Sequence, residues 1–398
     1  MVEFVQSDAL ISARPTLRLV HLTRVQLSNV RSWAELTLDL TPGVTLISGA
    51  NAAGKSNLVE AIYMLAALRS TRAQTEGEVI RWSAPKPQVA RVAGTALKAG
   101  EQVEVEVALS AREGGSASSA RQRSGAPLTS KRIRVNGVAR RAADALGAIR
   151  AVQFTSLDIE LLTGSSGLRR RFLDVAVGQL APTHAAGLSR YQRALTQRNA
   201  LLKRIAEGRA RESELDQWDD LLSAAAAPIW EARAAAAHAL SAHAREQHRW
   251  LRAPDDPAET IALTYLPADR PTLRESRRRD LARGTTSVGP HRDDLLIDLD
   301  ERPAANFASR AQQRAVALSL RLAEAEYLRS QGDDPPILLL DDIFSELDPV
   351  RRERTAAAVS TMEQVILTSA DPAAAPLNRS EIAASYQIDD GRMRPLFD

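Results

Sequence analysis

The chain has 398 residues, a net charge of +3 and a composition of 44% hydrophobic and 25% charged residues, which is typical of a globular protein with about two to three domains. It contains no cysteine, which excludes disulfides and thiol catalysis, and no run of about 18 apolar residues, which argues against a membrane span. Charged residues within 1–16 argue against a secretory signal. We therefore expect a cytoplasmic protein whose residues 1–16 form a tail.

The first section of the chain, up to about residue 155, is predicted to be rich in β-strands. Apolar and polar residues alternate over 36–40 and again over 103–107, which is typical of half-buried strands. Residues 133–138 are predicted to form a hairpin around Asn136 and Gly137, because both residue types tolerate the positive φ that a two-residue turn requires. The stretch at 114–125, rich in Gly and Ser, is predicted to be a flexible loop.

A phosphate-binding loop is the strongest motif in this section. An apolar run at 44–47 leads into residues 49–56, which fit the pattern G-x-x-x-x-G-K-[ST], and apolar residues then recur at helical spacing. This strand–loop–helix context favours a nucleotide site over a chance match. The residues predicted to bind the nucleotide are Gly49, Ala50, Asn51, Ala52, Ala53, Gly54, Lys55, Ser56 and Asn57.

The loop indicates which ligands the site would take. Backbone N–H groups of such a loop, together with the N-terminus of the helix that follows, hold phosphate groups. Lys55 would reach the β- and γ-phosphates, and the hydroxyl of Ser56 would bind Mg²⁺. The predicted cofactors are therefore ATP and Mg²⁺.

The middle section is predicted to be helical. Alanine, leucine, arginine and glutamate dominate residues 166–250 without a sustained heptad, so we predict a short helical lobe and not a long coiled-coil arm. Prolines interrupt the pattern around 254–271. After residue 289 the chain returns to strand–helix alternation, with strands predicted at 295–299, 337–340 and 365–368 and a helix from about 309 to 330.

Two adjacent carboxylates, Asp341 and Asp342, follow the apolar run at 337–340. Carboxylates at the end of a buried strand need a cation or hydrogen-bond donors beside them. We predict that Asp341 holds Mg²⁺ through water and that Asp342 orients or activates the attacking water; a strand-end turn capped by aspartates is the alternative. Most of the chain lies between this strand and the phosphate-binding loop, which indicates an insertion within the ATPase core.

The order of the motifs near the carboxylates resembles that of the ATP-binding-cassette ATPases. Residues 307–314 open an apolar helix, the Asp-Asp strand follows, and residues 345–348 come directly after it. In that class the signature motif of one subunit covers the γ-phosphate bound to the other. The resemblance implies that Ser309 and Gln312 act on a partner's ATP. With Lys55 and Asp342, which act on the chain's own ATP, they would be the catalytic residues. It also implies that ATP joins two copies of the chain.

Five stretches resemble the RecF recombination-mediator family, and they extend the resemblance from about residue 17 to residue 388. Two of these stretches contain highly specific segments that lie outside the generic ATPase motifs. They read Gln197-Arg198-Asn199-Ala200-Leu201-Leu202-Lys203, within 191–203, and Gly289-Pro290-His291-Arg292-Asp293-Asp294, within 289–295. The other three are residues 27–32, 169–174 and 338–348.

The RecF resemblance implies an α/β fold, with an ABC/SMC-type P-loop ATPase head and an inserted, mainly helical lobe. The head would comprise residues 17–155 and 285–398, and the lobe residues 156–284. Gln153 is implied as a metal ligand beside Ser56 and Asp341. The implied function is that of an ATP-dependent DNA-binding protein of recombinational repair and replication restart. Such a protein dimerises on ATP, hydrolyses it weakly in response to DNA, and helps to load RecA at single-strand gaps with RecO and RecR.

Two residues depart from the family pattern. Ala52 stands where the phosphate-binding loop usually has glycine, and Ala311 stands where the signature usually has glycine. Glycine in the signature allows close backbone approach to the partner's γ-phosphate, so the methyl group of Ala311 would weaken dimerisation or slow hydrolysis unless a small shift absorbs it. The alternative function is therefore a DNA-binding ATP switch with little or no hydrolysis.

Three clusters of arginine are candidates for contacts with DNA phosphates. The predicted DNA-binding residues are Arg169, Arg170, Arg171, Arg277, Arg278 and Arg279, and Arg351-Arg352 forms a further cluster. Solvated faces or internal ion pairs are the alternative interpretation of such clusters. Phosphate contacts would give binding that is salt-sensitive and independent of sequence. The aromatic content of 4% argues against an extended base-stacking platform, so gapped or duplex DNA is the expected ligand.

His291 lies beside Asp293 and Asp294, which permits either an acid–base cluster or a structural contact that couples the lobe to the head. We favour the coupling role, because Pro290 constrains the turn. A transporter ATPase is disfavoured, because Thr368 to Asp371 occupy the place of its switch histidine.

Overall fold

The computed structural model describes residues 20–111, 129–253, 257–268, 272–332, 334–389 and 391–396. The predicted tail at 1–16 and the predicted flexible loop at 114–125 lie outside these residues. None of the helices in the described part combines the length and apolar character that crossing a bilayer requires.

The first part of the chain forms a six-stranded antiparallel sheet in the order β2-β1-β4-β5-β6-β7. Its strands are β1 (Val20–Val30), β2 (Trp33–Asp39), β4 (Val89–Lys98), β5 (Glu101–Ala111), β6 (Thr129–Val135) and β7 (Val138–Arg140). The predicted hairpin is confirmed, because β6 and β7 are joined by Asn136 at φ 51° and Gly137 at φ 74°. These positive φ values are those that the favoured two-residue turn needs.

A second six-stranded sheet carries the phosphate-binding loop, in the order β15-β14-β3-β13-β12-β8. It is parallel from β14 to β8, and β15 is an antiparallel edge strand. Its strands are β3 (Gly43–Gly49), β8 (Ala151–Phe154), β12 (Ile337–Asp341), β13 (Gln364–Ser369), β14 (Ile382–Asp389) and β15 (Arg392–Pro395).

Both faces of the parallel sheet are covered, as is usual for parallel strands. The helix α1 (Lys55–Ala67) packs between the two sheets, and nearly all of its side chains are buried. The opposite face packs against helices of a second apolar cluster. These are α4 (Ser166–Leu180), α6 (Leu215–Leu251), α9 (Arg310–Gln331) and α10 (Pro349–Ser360).

The predicted helical section contains α4, α5 (Pro182–Ala206), α6 and α7 (Leu273–Arg283). α6 has 37 residues, a length of about 55 Å at the usual helical rise. A strand, β9 (Ile261–Leu266), follows α6 and pairs with β10 (Asp294–Leu299), which pairs with the short β11 (Arg302–Pro303). The pair β9–β10 therefore crosses the lobe–head boundary predicted at residue 284, and the boundaries remain a prediction.

Three α-helices of four residues are also present, besides several short 3-10 helices. The α-helices are α2 (Ala142–Ala145), α3 (Glu160–Thr163) and α8 (Ala304–Phe307).

Buried ionic contacts join the lobe helices to each other. The guanidinium of Arg198 on α5 is fully buried and donates to Asp219 of α6 and Asp280 of α7, both at 2.7 Å. The next residue, Asn199, accepts hydrogen bonds from the backbone N–H and the hydroxyl of Thr286. The segment that resembles the RecF family at 197–203 is thus the place where three helices are fastened together.

Candidate active site

The phosphate-binding loop connects the end of β3 to the start of α1. Gly54 has φ 108°, and a Cβ at this position would lie 2.8 Å from Ser32 Oγ and 3.4 Å from the Trp33 ring. The indole of Trp33 also donates a hydrogen bond to the Gly54 carbonyl at 3.2 Å. Glycine is therefore required here by both conformation and space. The turn between β1 and β2 supplies the wall against which the loop lies.

Ala52 adopts a left-handed conformation with φ 66°. This conformation costs an ordinary residue about 1–2 kcal/mol. Glycine, which the family usually has here, would avoid that cost, so the first departure from the family pattern adds local strain.

Lys55 lies inside the loop, with 6% of its surface exposed. Its ammonium group donates to the carbonyl oxygens of Gly49 at 2.6 Å and Ala50 at 3.0 Å. Neutral carbonyls leave the charge of Lys55 uncompensated, so phosphate oxygens are favourable replacements for them. Ser56 is half-buried in the first turn of α1, at the end of the helix that carries positive partial charge.

The two predicted carboxylates lie on the same edge of the sheet as the loop. Asp341 is paired in register with Thr368 of β13, which is in turn paired with Ile47 of β3. At the usual strand spacing, Asp341 is therefore about 10 Å across the sheet from β3. Its Oδ1 accepts a hydrogen bond from Thr368 Oγ1 at 2.7 Å, which holds the carboxylate at the strand end.

Asp342 has φ 54°, so its side chain leaves the strand in a direction different from that of Asp341. Its backbone N–H donates to the Thr368 carbonyl at 3.1 Å, and its Oδ1 accepts from the Ala370 N–H at 3.3 Å. Thr368 thus contacts both aspartates, a role that the sequence did not reveal beyond the apolar pattern of its strand.

Gln153 on β8 is 3% exposed and belongs to the strand beside β12. Its Oε1 accepts a hydrogen bond from Thr71 Oγ1 at 3.0 Å, while its Nε2 is buried without a partner in the described residues. The unpaired end is an N–H donor, which suits a phosphate oxygen; only the oxygen of Gln153, which already accepts from Thr71, could bind a metal.

The predicted metal ligands fit Mg²⁺, which prefers one or two protein oxygens together with phosphate oxygens. Ser56, Asp341 and Gln153 provide a hydroxyl, a carboxylate and an amide. No group of three or more His, Asp or Glu residues suited to a metal occurs in the ranges that the structure describes. Oxygen donors of these kinds suit a magnesium ion held by a nucleotide, and the ligand set stays a prediction.

The signature residues lie at the N-terminus of α9. Ser309 caps the helix, since its Oγ accepts from the Gln312 N–H at 3.3 Å and its own N–H donates to Gln312 Oε1 at 2.7 Å. Ser309 and Ala311 are both exposed, and the neighbouring Phe307 is 66% exposed. The signature therefore faces outward, at a helix end that favours anions.

Two of the six predicted DNA-binding arginines have their charge neutralised within the chain. Arg169 binds both oxygens of Asp294 at 2.7 and 2.9 Å, and Arg277 binds Asp216 at 2.6 Å and Asp219 at 2.8 Å. Of the others on α7, Arg278 is exposed, and Arg279 is exposed and donates to a serine. Internal ion pairing, the alternative weighed for these clusters, thus accounts for Arg169 and Arg277.

Arg170 and Arg171 differ, because their partners are uncharged oxygens. Arg170 donates to the carbonyl of Asp293 at 2.5 Å, and Arg171 donates to the carbonyl of Ser70 at 3.0 Å. Burial, together with the nearby charges of Arg69 and Arg321, lowers the pKa of Arg171 to about 10. Arg171 therefore lies near two further positive charges, whereas Asp174, Asp293 and Asp294 lie near Arg170.

These two arginines line a cleft of about 1260 Å³ between α4 and α5. Arg69, Arg190 and Arg193 line the same cleft. These three arginines were not among the predicted DNA-binding residues. The spacing of Arg190 and Arg193 could have indicated two of them, because residues three apart lie on one face of a helix.

His291 joins the lobe to the segment that precedes β10. Burial lowers its pKa, which favours the neutral ring. Its Nε2 lies 3.1 Å from the Thr286 carbonyl, and its Nδ1 lies 2.7 Å from the hydroxyl of Tyr191 on α5. The ring therefore donates through Nε2 and accepts through Nδ1. These contacts support the coupling role.

Comparisons with known proteins agree with this architecture. The model of the RecF/RecN/SMC N terminal domain family matches residues 21–387. The DNA replication and repair protein RecF of Herpetosiphon aurantiacus is 40% identical over 366 residues, covering 88% of this chain and 94% of that protein. The protein of the same name from Gloeobacter violaceus is 37% identical over 388 residues, covering 94% and 98%.

Solved structures extend the comparison. A structure of the recombination mediator protein RecF with ATP superposes with a TM-score of 0.81 at 25% identity, covering 97% of this chain and all (100%) of that one. The Smc head domain from Pyrococcus furiosus, at 15% identity and a TM-score of 0.53, covers 95% and 96% and shows similarity of fold alone. These matches confirm the predicted fold class, an ABC/SMC-type ATPase head.

Proposed function

Because the chain belongs to the RecF family of DNA replication and repair proteins, we propose that it is an ATP-dependent DNA-binding protein of recombinational repair and replication restart. The observation that carries the proposal is the arrangement of the ATPase motifs. Lys55, Asp341 and Asp342 lie on one edge of the parallel sheet, whereas the signature residue Ser309 faces outward. A site of this kind is completed by the signature of a second copy, so ATP would control dimerisation.

The residues of one chain bind and orient the nucleotide. Loop N–H groups and the N-terminus of α1 hold the phosphates, and Lys55 moves its hydrogen bonds from the Gly49 and Ala50 carbonyls to phosphate oxygens. Ser56, Asp341 and Gln153 would hold Mg²⁺, which would supply positive charge beside the phosphates. Asp342, held by the Ala370 N–H, orients the attacking water.

The second chain supplies the signature. The Ser309 hydroxyl and the free N–H groups of the first turn of α9 are suited to the γ-phosphate, because both donors and helix dipole favour an anion. Phe307 adds an exposed apolar surface beside them. Hydrolysis removes the group that these donors contact, so the two copies would separate.

DNA is the proposed ligand of the arginine cleft. Arg170 and Arg171 lack carboxylate partners among their described contacts, and Arg69, Arg190 and Arg193 line the same cleft. Guanidinium groups that make no hydrogen bond to a carboxylate can bind phosphates in a salt-dependent way that is independent of sequence. The proposal includes weak DNA-stimulated ATP hydrolysis, action at the nucleoid in the cytoplasm, and RecA loading at single-strand gaps with RecO and RecR, as the family relationship supports.

A second candidate function is an ATP switch with little hydrolysis, which Ala311 favours. Its methyl group is exposed at the surface that would meet the partner's γ-phosphate. A methyl group at that contact keeps the partner's phosphate from close approach. ATP-driven dimers would then form without efficient turnover.

Measurements of ATP turnover and of dimerisation, each with and without gapped duplex DNA, test the proposal. We expect turnover above that of a Lys55→Ala control, rising with gapped duplex, and dimers only with ATP. Dimers without turnover would support the switch instead. If ATP produced neither dimers nor DNA binding, both candidates would be refuted.

A further inference from the structure

A continuous chain of hydrogen bonds connects the signature to the long helix of the lobe. Gln312 Nε2 donates to Glu259 Oε1 at 2.6 Å. The other carboxylate oxygen of Glu259 lies 3.2 Å from Nε2 of His248. His248 is in the last turn of α6, and Glu259 is in the segment that joins α6 to β9.

A donor faces each of the two carboxylate oxygens of Glu259. Burial lowers the pKa of His248, and the charges of Arg252 and Arg351 lower it further, while Glu259 opposes them. A neutral His248 donates Nε2–H to Glu259, which leaves Nδ1 unprotonated. The Ser319 hydroxyl donates its single hydrogen to the Ala315 carbonyl at 2.7 Å, and its oxygen lies 3.2 Å from Nδ1.

Glu259 thereby fixes the orientation of the Gln312 amide. Its carboxylate accepts only from the nitrogen end of the amide, so the oxygen end remains on the Ser309 N–H. The side chain of Glu259 is 7% exposed and that of His248 is 1% exposed, so water competes weakly for these bonds. The shape of the first turn of α9 depends on this orientation, because Ser309 and Gln312 cap each other.

We propose that Glu259 is a positioning residue for the signature, and this role rests on the dimerisation part of the proposed function. It holds Gln312 so that Ser309 and the first turn of α9 keep the shape that meets the partner's ATP. Glu259 is in turn held by His248, so the orientation of α6 is transmitted to the signature through two side chains. Glu259 itself touches no nucleotide in this arrangement.

The first test uses Glu259→Ala. A hydrogen bond to a charged group is roughly twice as strong as a neutral one, so we expect the ATP concentration for half-maximal dimerisation to rise about ten-fold. ATP binding by the monomer should stay unchanged, because the Lys55 site is built from other elements. Glu246→Ala is the matched control, since Glu246 is an exposed carboxylate near the same end of α6.

The second test exchanges the residues at positions 259 and 312. It does not require the protein to fold with alanine at position 259. Gln312→Glu alone places two carboxylates against each other and should abolish ATP-dependent dimerisation. Adding Glu259→Gln restores a donor–acceptor pair, leaves His248 its acceptor, and keeps a capping oxygen for the Ser309 N–H. We expect the double variant to dimerise at a lower ATP concentration than Gln312→Glu alone but not to reach the wild type, because a carboxylate at position 312 still faces the partner's γ-phosphate.

The outcomes separate the two proposals. If neither the wild-type protein nor the Glu246→Ala control formed dimers with ATP, the proposed function would be refuted. If both dimerise, and Glu259→Ala dimerises at the same ATP concentration, the positioning role is wrong. A double variant no better than Gln312→Glu alone would also overturn it.

Discussion

Replacing Arg198 with methionine should strongly destabilise the helical lobe. Arg198 is fully buried, and its guanidinium contacts Asp219, Asp280 and the hydroxyl of Thr286 at 2.7–2.8 Å. Asp219 would keep its contact with Arg277, whereas Asp280 would retain only hydroxyl and backbone donors. Removing one partner of a buried ion pair costs about 3–5 kcal/mol, and we expect Arg198→Met to cost that much.

Urea unfolding followed by tryptophan fluorescence measures this loss. Of the five tryptophans, Trp218, Trp230 and Trp250 lie on α6, so the signal reports mainly on the lobe. Arg190→Met on the same helix is the control, because Arg190 is exposed, and it should change the unfolding free energy by less than about 0.5 kcal/mol.

Neutralising the stranded charge should recover part of the loss. Asp280→Asn, added to Arg198→Met, removes the carboxylate whose burial is no longer compensated. A cost below about 1 kcal/mol for Arg198→Met alone, or no recovery in the double variant, would refute the view that this ion network fastens α5, α6 and α7 together.

Four further predictions concern ATP and DNA. Ser309→Arg should leave ATP binding by the monomer intact but abolish ATP-dependent dimers in light scattering; unchanged dimers would remove Ser309 from the interface. Asp342→Asn should slow phosphate release and prolong the dimer, and rapid turnover would exclude the catalytic role. Arg171→Gln should weaken duplex binding and reduce the slope of log affinity against log salt by about 1; an unchanged slope would place DNA elsewhere. Ala311→Gly should raise ATP turnover, and equal turnover would show that the methyl group is accommodated.

The motifs with fixed local geometry were predictable from the sequence. The loop at 49–56, the strand before Asp341 and the Asn136-Gly137 hairpin each combine a short pattern with one backbone requirement, and the structure has all three as expected. Such features depend on neighbouring residues alone, so periodicity and turn chemistry are sufficient to find them.

The features that sequence reasoning missed depend on contacts between distant residues. Nothing in the pattern around Arg169 shows that Asp294 lies opposite it, or that Glu259 meets Gln312. The pairing of β9 with β10 likewise joins segments on either side of a predicted boundary. A charged residue looks the same in a sequence whether it faces solvent or a buried partner, and only the fold distinguishes the two cases.

The position of β3 has a consequence for synthesis of the protein. β3, which leads into the phosphate-binding loop, lies between β13 and β14, and these are among the last elements of the chain. Pairing between segments so distant in sequence is slow and must wait until both have left the ribosome. The nucleotide site can therefore close only when translation is nearly complete. A nascent or prematurely terminated chain would expose its helical lobe and its arginines without the means to bind ATP. We expect a chain truncated before β13 to be handled by the cell as an incompletely folded protein.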